Sequence, residues 1–424
     1  MLAAMPQPPS AASRDEPVIR ERGDACPGAL RLHPADDGML ARIRIPGGLL
    51  DIRQAGMLGL AADRFGDGHL ELTSRGNVQL RGLADGCGAG LAELLDGAGL
   101  LPAPSHERVR NIVATPVSDA VVPRVRELDR LLCASTRATA LSGRFLFALD
   151  DGRGDVAALD PDVTVLGRRG DRVLVRLGAA ADAVEVAAAD GPRAALLASA
   201  YFLDAADAAG NRAWRVAELP PEHSLNAEEF GLRLAAAGIG ATHVPDVVWP
   251  YAPPPRPSGP GGGPLCVLPP LGRLSSAQWR LLVEVAEQGG GGLRLTPWRS
   301  IVLPRPGDGH ARLAGAGLVV ASDSPWQTVT ACTGQPGCAK ALADVRADAR
   351  AVVDESAGAL PVHWSGCERR CGHPRGTAWV DLVATGNDGY ALSVHGEPAV
   401  PVSRTDLAAA LTAARNTPQN PQTQ

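Results

Sequence analysis

An internal repeat constrains the fold of this chain more than any other feature of its sequence. The segment 45–81 has a second copy at 268–304, aligned so that Leu70 matches Leu293. Each copy predicts a strand, a helix, a strand, a turn and a further strand, and the residues around Leu70 have the two-residue hydrophobic period of a half-buried strand. A duplicated unit of this kind predicts an α+β fold with the two copies packed about a pseudo-twofold axis. Binding sites often lie at such seams between domains.

The segments around the repeat divide the chain into further parts. A stretch rich in proline and glycine separates two halves, and each half consists of one repeat copy followed by a second α/β unit. Both ends of the chain are rich in residues that disfavour a packed core. The expected parts are a disordered N-terminus (1–25), a first half-domain (26–100), a first α/β domain (104–249), a linker (250–264), a second half-domain (265–325), a second α/β domain (328–412) and a disordered tail (416–424).

Composition and charge exclude several classes of protein. The chain has 424 residues and a formal net charge of −5, which is not typical of a nucleic-acid-binding or membrane-surface protein. No apolar run is long enough for a transmembrane helix, and the N-terminal segment lacks the apolar core of a signal peptide. We therefore expect a cytoplasmic protein without nucleic-acid or membrane partners.

Four of the eight cysteines lie in one short window and predict a metal centre. They follow the pattern C-x5-C and then C-x3-C, and both pairs lie in glycine-containing loops. A helix is expected to begin near the second cysteine, with its N-terminus facing the site. Four thiolates favour a [4Fe–4S] cluster, whereas structural zinc prefers the shorter spacing C-x2-4-C; unligated cysteines are the remaining alternative. The four residues are Cys332, Cys338, Cys367 and Cys371.

Arginines on predicted turns form a second pattern, in a chain that is acidic overall. If these turns converge near the four sulfurs, their guanidinium groups form a pocket for a polycarboxylate or an oxyanion, because guanidinium binds carboxylate with two hydrogen bonds. The alternative is a set of ordinary surface arginines. The residues in question are Arg42, Arg44, Arg75, Arg81, Arg110, Arg144 and Arg370.

Two histidines and two tryptophans lie near these motifs. His363 and His373 flank the second cysteine pair, where they are candidates to ligate iron or to hydrogen-bond a substrate acid; the simpler interpretation is a loop histidine bonded to backbone. Trp364 and Trp298 are expected in the hydrophobic core.

The cysteine pattern, the turns RIRIPGG and LTSRGNVQL and the duplicated unit together resemble the nitrite/sulfite reductase superfamily over about residues 26–410. The resemblance implies two ferredoxin-like half-domains and two α/β domains of cluster and haem type. It implies that the four cysteines bind the cubane and that Cys371 also bridges to a sirohaem iron. Arg42 and Arg75 take the positions of the family's anion-binding arginines.

One motif departs from the reductases of this superfamily. Their two active-site lysines lie in a stretch similar to L-P-x-K-F-K, which corresponds here to residues 141–146. Arg144 keeps one positive charge, but Leu146 removes the other. Reduction of sulfite or nitrite needs donors and protons directed at the departing oxygens, so the loss of a cation argues against that chemistry.

The stretches CTGQPGCAKALADVRADAR and VHWSGCERRCGHPRG are more similar to one branch, the precorrin-3B synthases of aerobic cobalamin biosynthesis. This resemblance implies a monooxygenase that hydroxylates C20 of precorrin-3A with O2 and closes a γ-lactone from the ring A acetate. It implies a [4Fe–4S] cluster, a second mononuclear iron in sirohaem or on non-haem ligands, and NADH-derived electrons from an external reductase or ferredoxin. The expected catalytic arginines are Arg42, Arg75 and Arg144, and the expected substrate-binding ones are Arg44, Arg81, Arg110 and Arg370.

Two alternatives remain open at this point. The first is a sirohaem-dependent sulfite or nitrite reductase, for which bound sirohaem and turnover of sulfite would be decisive. The second is a non-catalytic iron–sulfur or zinc scaffold that binds a partner, for which metal content without turnover would be decisive.

Overall fold

The two copies of the repeat exchange strands, so that neither copy completes its own sheet. A computed structural model describes residues 26–259, 261, 263–356, 358–374, 378–386, 388–394 and 397–417. The expected disordered N-terminus (1–25) lies outside the described residues, as does the expected tail from residue 418 onward.

The first half-domain forms one sheet with a strand from the second. Its elements are β1 (His33–Ala35), β2 (Gly38–Ile43), β3 (Leu49–Leu50), α1 (Ile52–Phe65), β4 (His69–Leu72), β5 (Val78–Leu83) and α2 (Gly88–Gly97). The second half-domain comprises β12 (Leu265–Val267), β13 (Arg273–Ser275), α6 (Ser276–Gln288), β14 (Leu293–Leu295), β15 (Ile301–Leu303) and α7 (His310–Gly315), and the intervening numbers belong to the domain between them. The strand orders are β1-β2-β5-β4-β13 and β12-β15-β14-β3. Each half-domain therefore contributes a strand to the other's sheet, an exchange that is compatible with a pseudo-twofold relation.

The two helices at equivalent positions of the repeat, α1 and α6, begin with the same N-terminal capping motif. Asp51 and Ser275 each accept a hydrogen bond from the backbone three residues later, and Gln54 and Gln278 return the bond to complete two capping boxes. The helices pack on each other across the seam, where the indole of Trp279 is fully buried and its Nε1 donates to the carbonyl oxygen of Ala55 at 2.7 Å. One hydrophobic core therefore joins both copies.

Trp279→Ala is expected to lower the free energy of unfolding by about 3–5 kcal/mol, because it leaves a cavity between α1 and α6 and removes the hydrogen bond to Ala55. Denaturant titration followed by circular dichroism measures this loss. Leu232→Ala is the matched control, since Leu232 is 72% exposed and its truncation should change stability by less than about 0.5 kcal/mol. An equal effect of the two substitutions would contradict the shared core.

The domain between the half-domains is a six-stranded mixed sheet covered by helices. Its elements are β6 (Ile112–Ala114), α3 (Val122–Ala134), β7 (Phe147–Asp150), β8 (Val163–Arg168), β9 (Arg172–Leu177), β10 (Ala183–Ala187), α4 (Gly191–Ala209), α5 (Ala227–Ala236) and β11 (Thr242–Val244), with strand order β11-β10-β9-β8-β7-β6. The described residues between β11 and β12 contain no helix or strand, in keeping with the composition of the expected linker.

The last domain contains the four clustered cysteines. Its elements are β16 (Val329–Ala331), α8 (Val345–Val352), β17 (Val362–Ser365), β18 (Val380–Ala384), β19 (Gly389–Val394), β20 (Val400–Ser403) and α9 (Leu407–Arg415). The strands pair in the order β16-β17-β18-β19-β20, and the first three run parallel. This parallel part of the sheet determines where the cysteine loops meet.

Candidate functional site

Both cysteine pairs follow neighbouring parallel strands. Cys332 comes directly after β16, and Cys367 comes two residues after β17. The carboxyl ends of parallel strands meet at one edge of a sheet, so the two loops leave the sheet side by side. The backbone N–H of Cys332 continues the pairing by donating to the carbonyl oxygen of Trp364 at 2.9 Å.

Close packing of the two loops depends on glycine. A Cβ on Gly366 would lie 2.6 Å from the Cβ of Ala341, and Gly334 has a φ of 69°, in the left-handed region. The N–H of Gly366 donates to the Sγ of Cys332 at 3.1 Å. Hydrogen bonds of this kind to cysteine sulfur are among the interactions that tune iron–sulfur centres.

The thiol of Cys371 lies near the other three clustered thiols. Partial burial, and then the nearby thiols of Cys332, Cys367 and Cys338, raise the pKa of the Cys371 thiol. No three histidine, cysteine, aspartate or glutamate side chains in the described ranges are close enough to ligate one metal ion. Four thiolates are the ligand complement of a [4Fe–4S] cluster, and the assignment of these four cysteines as its ligands stays a prediction.

The expected helix start near Cys338 is wrong. Helix α8 begins at Val345, and the side chain of Asp344 caps it by accepting from the N–H of Ala347 at 3.0 Å. The intervening residues wrap around the cysteine loops instead, and Leu342 donates its N–H to the carbonyl oxygen of Gly366 at 2.7 Å. The capping aspartate therefore marks the helix start, and it pairs with one of the N–H groups of the first turn.

Arg81 fastens the first cysteine loop to the first half-domain. Its guanidinium donates two hydrogen bonds to Asp37, at 2.7 and 2.8 Å, and a third to the carbonyl oxygen of Gly337 at 2.7 Å. Hydrogen bonding to Asp37, against the effect of burial, raises the pKa of Arg81. The Arg81 guanidinium is therefore held by hydrogen bonds within the protein, next to Cys338. Its expected contact with substrate stays a prediction.

The turns that carry Arg42, Arg44 and Arg75 converge. Burial and the neighbouring charge of Arg42 lower the pKa of Arg44 to about 9, and burial and Arg215 lower the pKa of Arg75 to about 10. Cys26 lies among them, since its charge acts on all three guanidinium groups. We call Arg42, Arg44, Arg75 and Arg215 the arginine cluster. Arg215 belongs to the α/β domain between the half-domains. It lies outside the repeat, so the sequence pattern did not predict that it would join the cluster.

Two asparagines hold these turns together. Asn77 accepts a hydrogen bond from the N–H of Ile45 at 2.9 Å and donates to Asn111 at 3.4 Å. Asn111 in turn donates to the carbonyl oxygens of Phe145 at 3.0 Å and Gly143 at 3.4 Å. Three turns that are remote in sequence are therefore joined through buried amides, which explains why the arginines meet.

The remaining predicted arginines lie in different surroundings. Arg110 is buried and paired with Asp129 through two hydrogen bonds of 2.7 Å. Arg144 is exposed and stacks 4.9 Å from the ring centroid of Trp214. Arg370 pairs with Asp381 next to the second cysteine loop. Their expected roles stay predictions, and Arg110 already has a carboxylate partner within the protein.

His363 and His373 differ in burial and partners. His363 is buried, and its Nδ1 lies 2.8 Å from the Oγ1 of Thr330, while its buried Nε2 makes no hydrogen bond of ordinary geometry within the described residues, although the Cys371 backbone is near. Burial and the charge of Arg299 lower the pKa of His363 to about 3, so the ring is neutral. His373 is exposed, and its Nδ1 lies 2.7 Å from the carbonyl oxygen of Pro374.

Leu146 belongs to a small hydrophobic core cluster of the domain between the half-domains. It is buried with Val113, Ala148 and Val156, and Trp298 packs against this group. In the repeat alignment that matches Leu70 with Leu293, Trp298 takes the place of Arg75. The pseudo-twofold axis therefore relates a cationic turn to an aromatic one, which makes the region asymmetric. Trp364, by contrast, is a core residue that packs edge-on against Tyr390.

Comparison with known proteins agrees with this architecture. The family model described as the nitrite/sulfite reductase ferredoxin-like half domain matches residues 32–95 and 260–311, the two copies of the repeat. In the described part of the chain, no helix is long and apolar enough to cross a bilayer.

Two curated relatives and one solved structure extend the likeness to most of the chain. A precorrin-3B synthase of Sinorhizobium sp is 26% identical over 405 residues, which cover 89% of this chain and 84% of that protein. A ferredoxin–nitrite reductase of Synechococcus elongatus is 26% identical over 382 residues, which cover 79% and 74%. The NirA protein of Mycobacterium tuberculosis has a similar fold, with a TM-score of 0.68 at 17% identity over 90% of this chain and 82% of that one. The two half-domains therefore match the nitrite/sulfite reductase ferredoxin-like family, and the chain is similar to proteins of that superfamily over most of its length.

Proposed function

We propose that this protein is an oxidoreductase of the precorrin-3B synthase type, which hydroxylates C20 of precorrin-3A with O2 and forms a γ-lactone. The observation that carries the proposal is that Leu146, at the position of the second lysine, is buried in a hydrophobic cluster, while the arginine cluster is retained. An anion-binding pocket without the second lysine suits a carboxylated macrocycle better than the stepwise removal of oxygens from sulfite or nitrite. The synthase from Sinorhizobium, which aligns with 89% of the chain, supports the same choice.

The cofactors belong to this proposal. Cys332, Cys338, Cys367 and Cys371 would hold a [4Fe–4S] cluster, with Cys371 as the candidate bridge to a sirohaem iron. When bound, the cluster would supply electrons singly, and a mononuclear iron, in sirohaem or on protein ligands, would supply O2 activation.

The chain's own residues would bind and orient the substrate. Arg42 and Arg75 offer partly buried, positively charged guanidinium groups, and partial burial increases the stabilisation that each would gain from a carboxylate partner. One atom of O2 enters the substrate and the other leaves as water, with two electrons drawn from NADH through an external reductase or ferredoxin and two protons from solvent. The ring A acetate carboxylate closes the lactone while the arginines hold the other acid groups.

A sirohaem-dependent nitrite or sulfite reductase is the second candidate. The relative named ferredoxin–nitrite reductase aligns with 79% of the chain and favours it. Arg144 would then supply the remaining cation of the lysine motif, but its guanidinium lies over Trp214 and is exposed.

The Arg81→Met variant is expected to lose iron about tenfold faster than the unmodified protein. The substitution removes the hydrogen bonds that link Asp37 to the carbonyl oxygen of Gly337 beside Cys338. Transfer of iron to a chelator, followed by absorbance under anaerobic conditions, measures the rate. Arg130→Met is the control, since Arg130 forms an exposed ion pair with Glu127 on α3. Equal rates in both variants would contradict a role for Arg81 in holding the loop.

Cofactor analysis and turnover together test the proposed function. Protein purified without oxygen is assayed for iron, acid-labile sulfide and extractable tetrapyrrole, and is then given precorrin-3A, O2 and reduced donor. The proposal predicts about four irons and four sulfides for the cluster, and consumption of O2 that depends on precorrin-3A. Bound sirohaem with turnover of sulfite or nitrite, and none of precorrin-3A, would overturn it in favour of a reductase.

A further inference from the structure

A chain of four hydrogen bonds, one buried and three partly buried, joins the arginine cluster to the first cysteine loop. Arg42 donates from NH2 to the Oε1 of Gln79 at 3.0 Å, and Gln79 donates from Nε2 to Glu71 at 3.2 Å. The other oxygen of Glu71 accepts from Arg346 at 2.6 Å, and Arg346 donates from Nε to the carbonyl oxygen of Cys332 at 3.2 Å. Four hydrogen bonds therefore connect a guanidinium of the pocket with the backbone of a cysteine.

Each link has a fixed direction. Arginine can only donate and carboxylate can only accept, so the amide of Gln79 must turn its oxygen to Arg42 and its nitrogen to Glu71. Glu71 and Gln79 are each 9% exposed, which leaves little water to replace these partners. The arrangement is thus determined at both ends by cations of the protein.

Glu71 also joins three parts of the fold. It lies on β4 of the first half-domain, Arg273 of the second half-domain approaches it at 3.7 Å, and Arg346 reaches it from α8 of the last domain. The charge of Arg299 acts on the same region. The Glu71 carboxylate therefore links the half-domains to the domain that carries the cysteines. Its removal would leave the partly buried guanidinium groups of Arg273 and Arg346 without this partner, which destabilises the contact.

We propose that Glu71 and Gln79 are positioning residues that couple the arginine cluster to the four clustered cysteines. An anion that binds to Arg42 weakens the hydrogen bond from Arg42 to Gln79. Glu71 and Arg346 transmit this change in hydrogen bonding to the loop that begins at Cys332. The inference rests on the proposed function to the extent that it takes the four cysteines to hold a cluster.

Glu71→Gln tests the junction in the intact holoprotein. The rate at which a chelator removes iron is expected to rise about tenfold, as is typical when a partner behind a metal ligand is lost. The midpoint potential, followed by electron paramagnetic resonance, should shift to more positive values because a negative charge is lost near the cluster. Glu185→Gln is the matched control, a strand glutamate that pairs with Arg172 in the other α/β domain and should change neither quantity.

A double-mutant cycle tests the coupling itself. Arg42→Met and Gln79→Met are each expected to speed the loss of iron, and the double variant should be no faster than Gln79→Met alone, because the path is already broken. Rates that multiply would overturn the inference and leave the cluster assignment intact. A wild-type protein without iron and sulfide would overturn the cluster assignment and the inference with it. Circular dichroism and the melting temperature of each variant identify loss of folding as a separate cause.

Discussion

Cys371→Ser is expected to abolish retention of the iron–sulfur cluster, with iron and acid-labile sulfide falling to background in the anaerobically purified protein. Serine keeps the size of the side chain but has a hydroxyl that stays protonated at neutral pH, so one of four ligands is lost. The thiols of Cys332, Cys338 and Cys367 lie near enough to act on Cys371, and a cubane that depends on all four should not assemble stably on three.

Cys133→Ser is the matched control for this experiment. Cys133 is a partly buried cysteine in α3, outside the loops of the last domain, and its substitution should leave iron and sulfide unchanged. Full cluster content in Cys371→Ser would contradict the assignment of this residue as a ligand. Equal loss in both variants would instead indicate a general effect on folding.

Arg75→Met is expected to weaken binding of precorrin-3A about 10–100-fold, because one charge-assisted hydrogen-bonding group of the pocket is removed. Burial and Arg215 already lower the pKa of Arg75 to about 10, so the group is charged at neutral pH and gains from an anionic partner. Its guanidinium donates to the carbonyl oxygen of Gly143 at 3.2 Å, and a guanidinium has five N–H groups with which it can also bind a ligand.

Anaerobic equilibrium binding, followed by absorbance of the tetrapyrrole, measures this change. Arg172→Met is the control, because Arg172 is a strand arginine paired with Glu185 in the neighbouring domain. Unchanged affinity in Arg75→Met, with the melting temperature preserved, would remove this arginine from the proposed binding site. Loss of affinity in the control as well would show that the effect is one of net charge.

The sequence predicted the parts of the fold that depend on local pattern. The period of the repeat identified both half-domains, and the family model matches the same two regions. The exchange of β3 and β13 between the sheets was not predictable, because strand pairing depends on contacts between residues far apart in sequence. The start of α8 was misplaced because Asp344 is a stronger cap than the residues next to Cys338.

The site shows the same division between local and distant information. The spacing of the four cysteines is local information, but that both loops leave one sheet edge depends on the parallel pairing of β16 with β17. The partners of Arg81 and Arg110, Asp37 and Asp129, depend on three-dimensional packing, so free guanidinium groups could not be separated from paired ones by sequence. For the same reason Arg215 could not be identified from sequence. Glu71, by contrast, lies between two leucines of a buried strand, where a carboxylate indicates a partner within the protein.

Isotope labelling with 18O2 tests the central claim most directly. The holoprotein is incubated under 18O2 with precorrin-3A and a reduced electron donor. The mass of the tetrapyrrole product is then measured by mass spectrometry. The account predicts a product that carries one 18O atom, with label absent when the same reaction is run under 16O2 in labelled water. An unlabelled tetrapyrrole, together with reduction of nitrite or sulfite by the same protein, would contradict it.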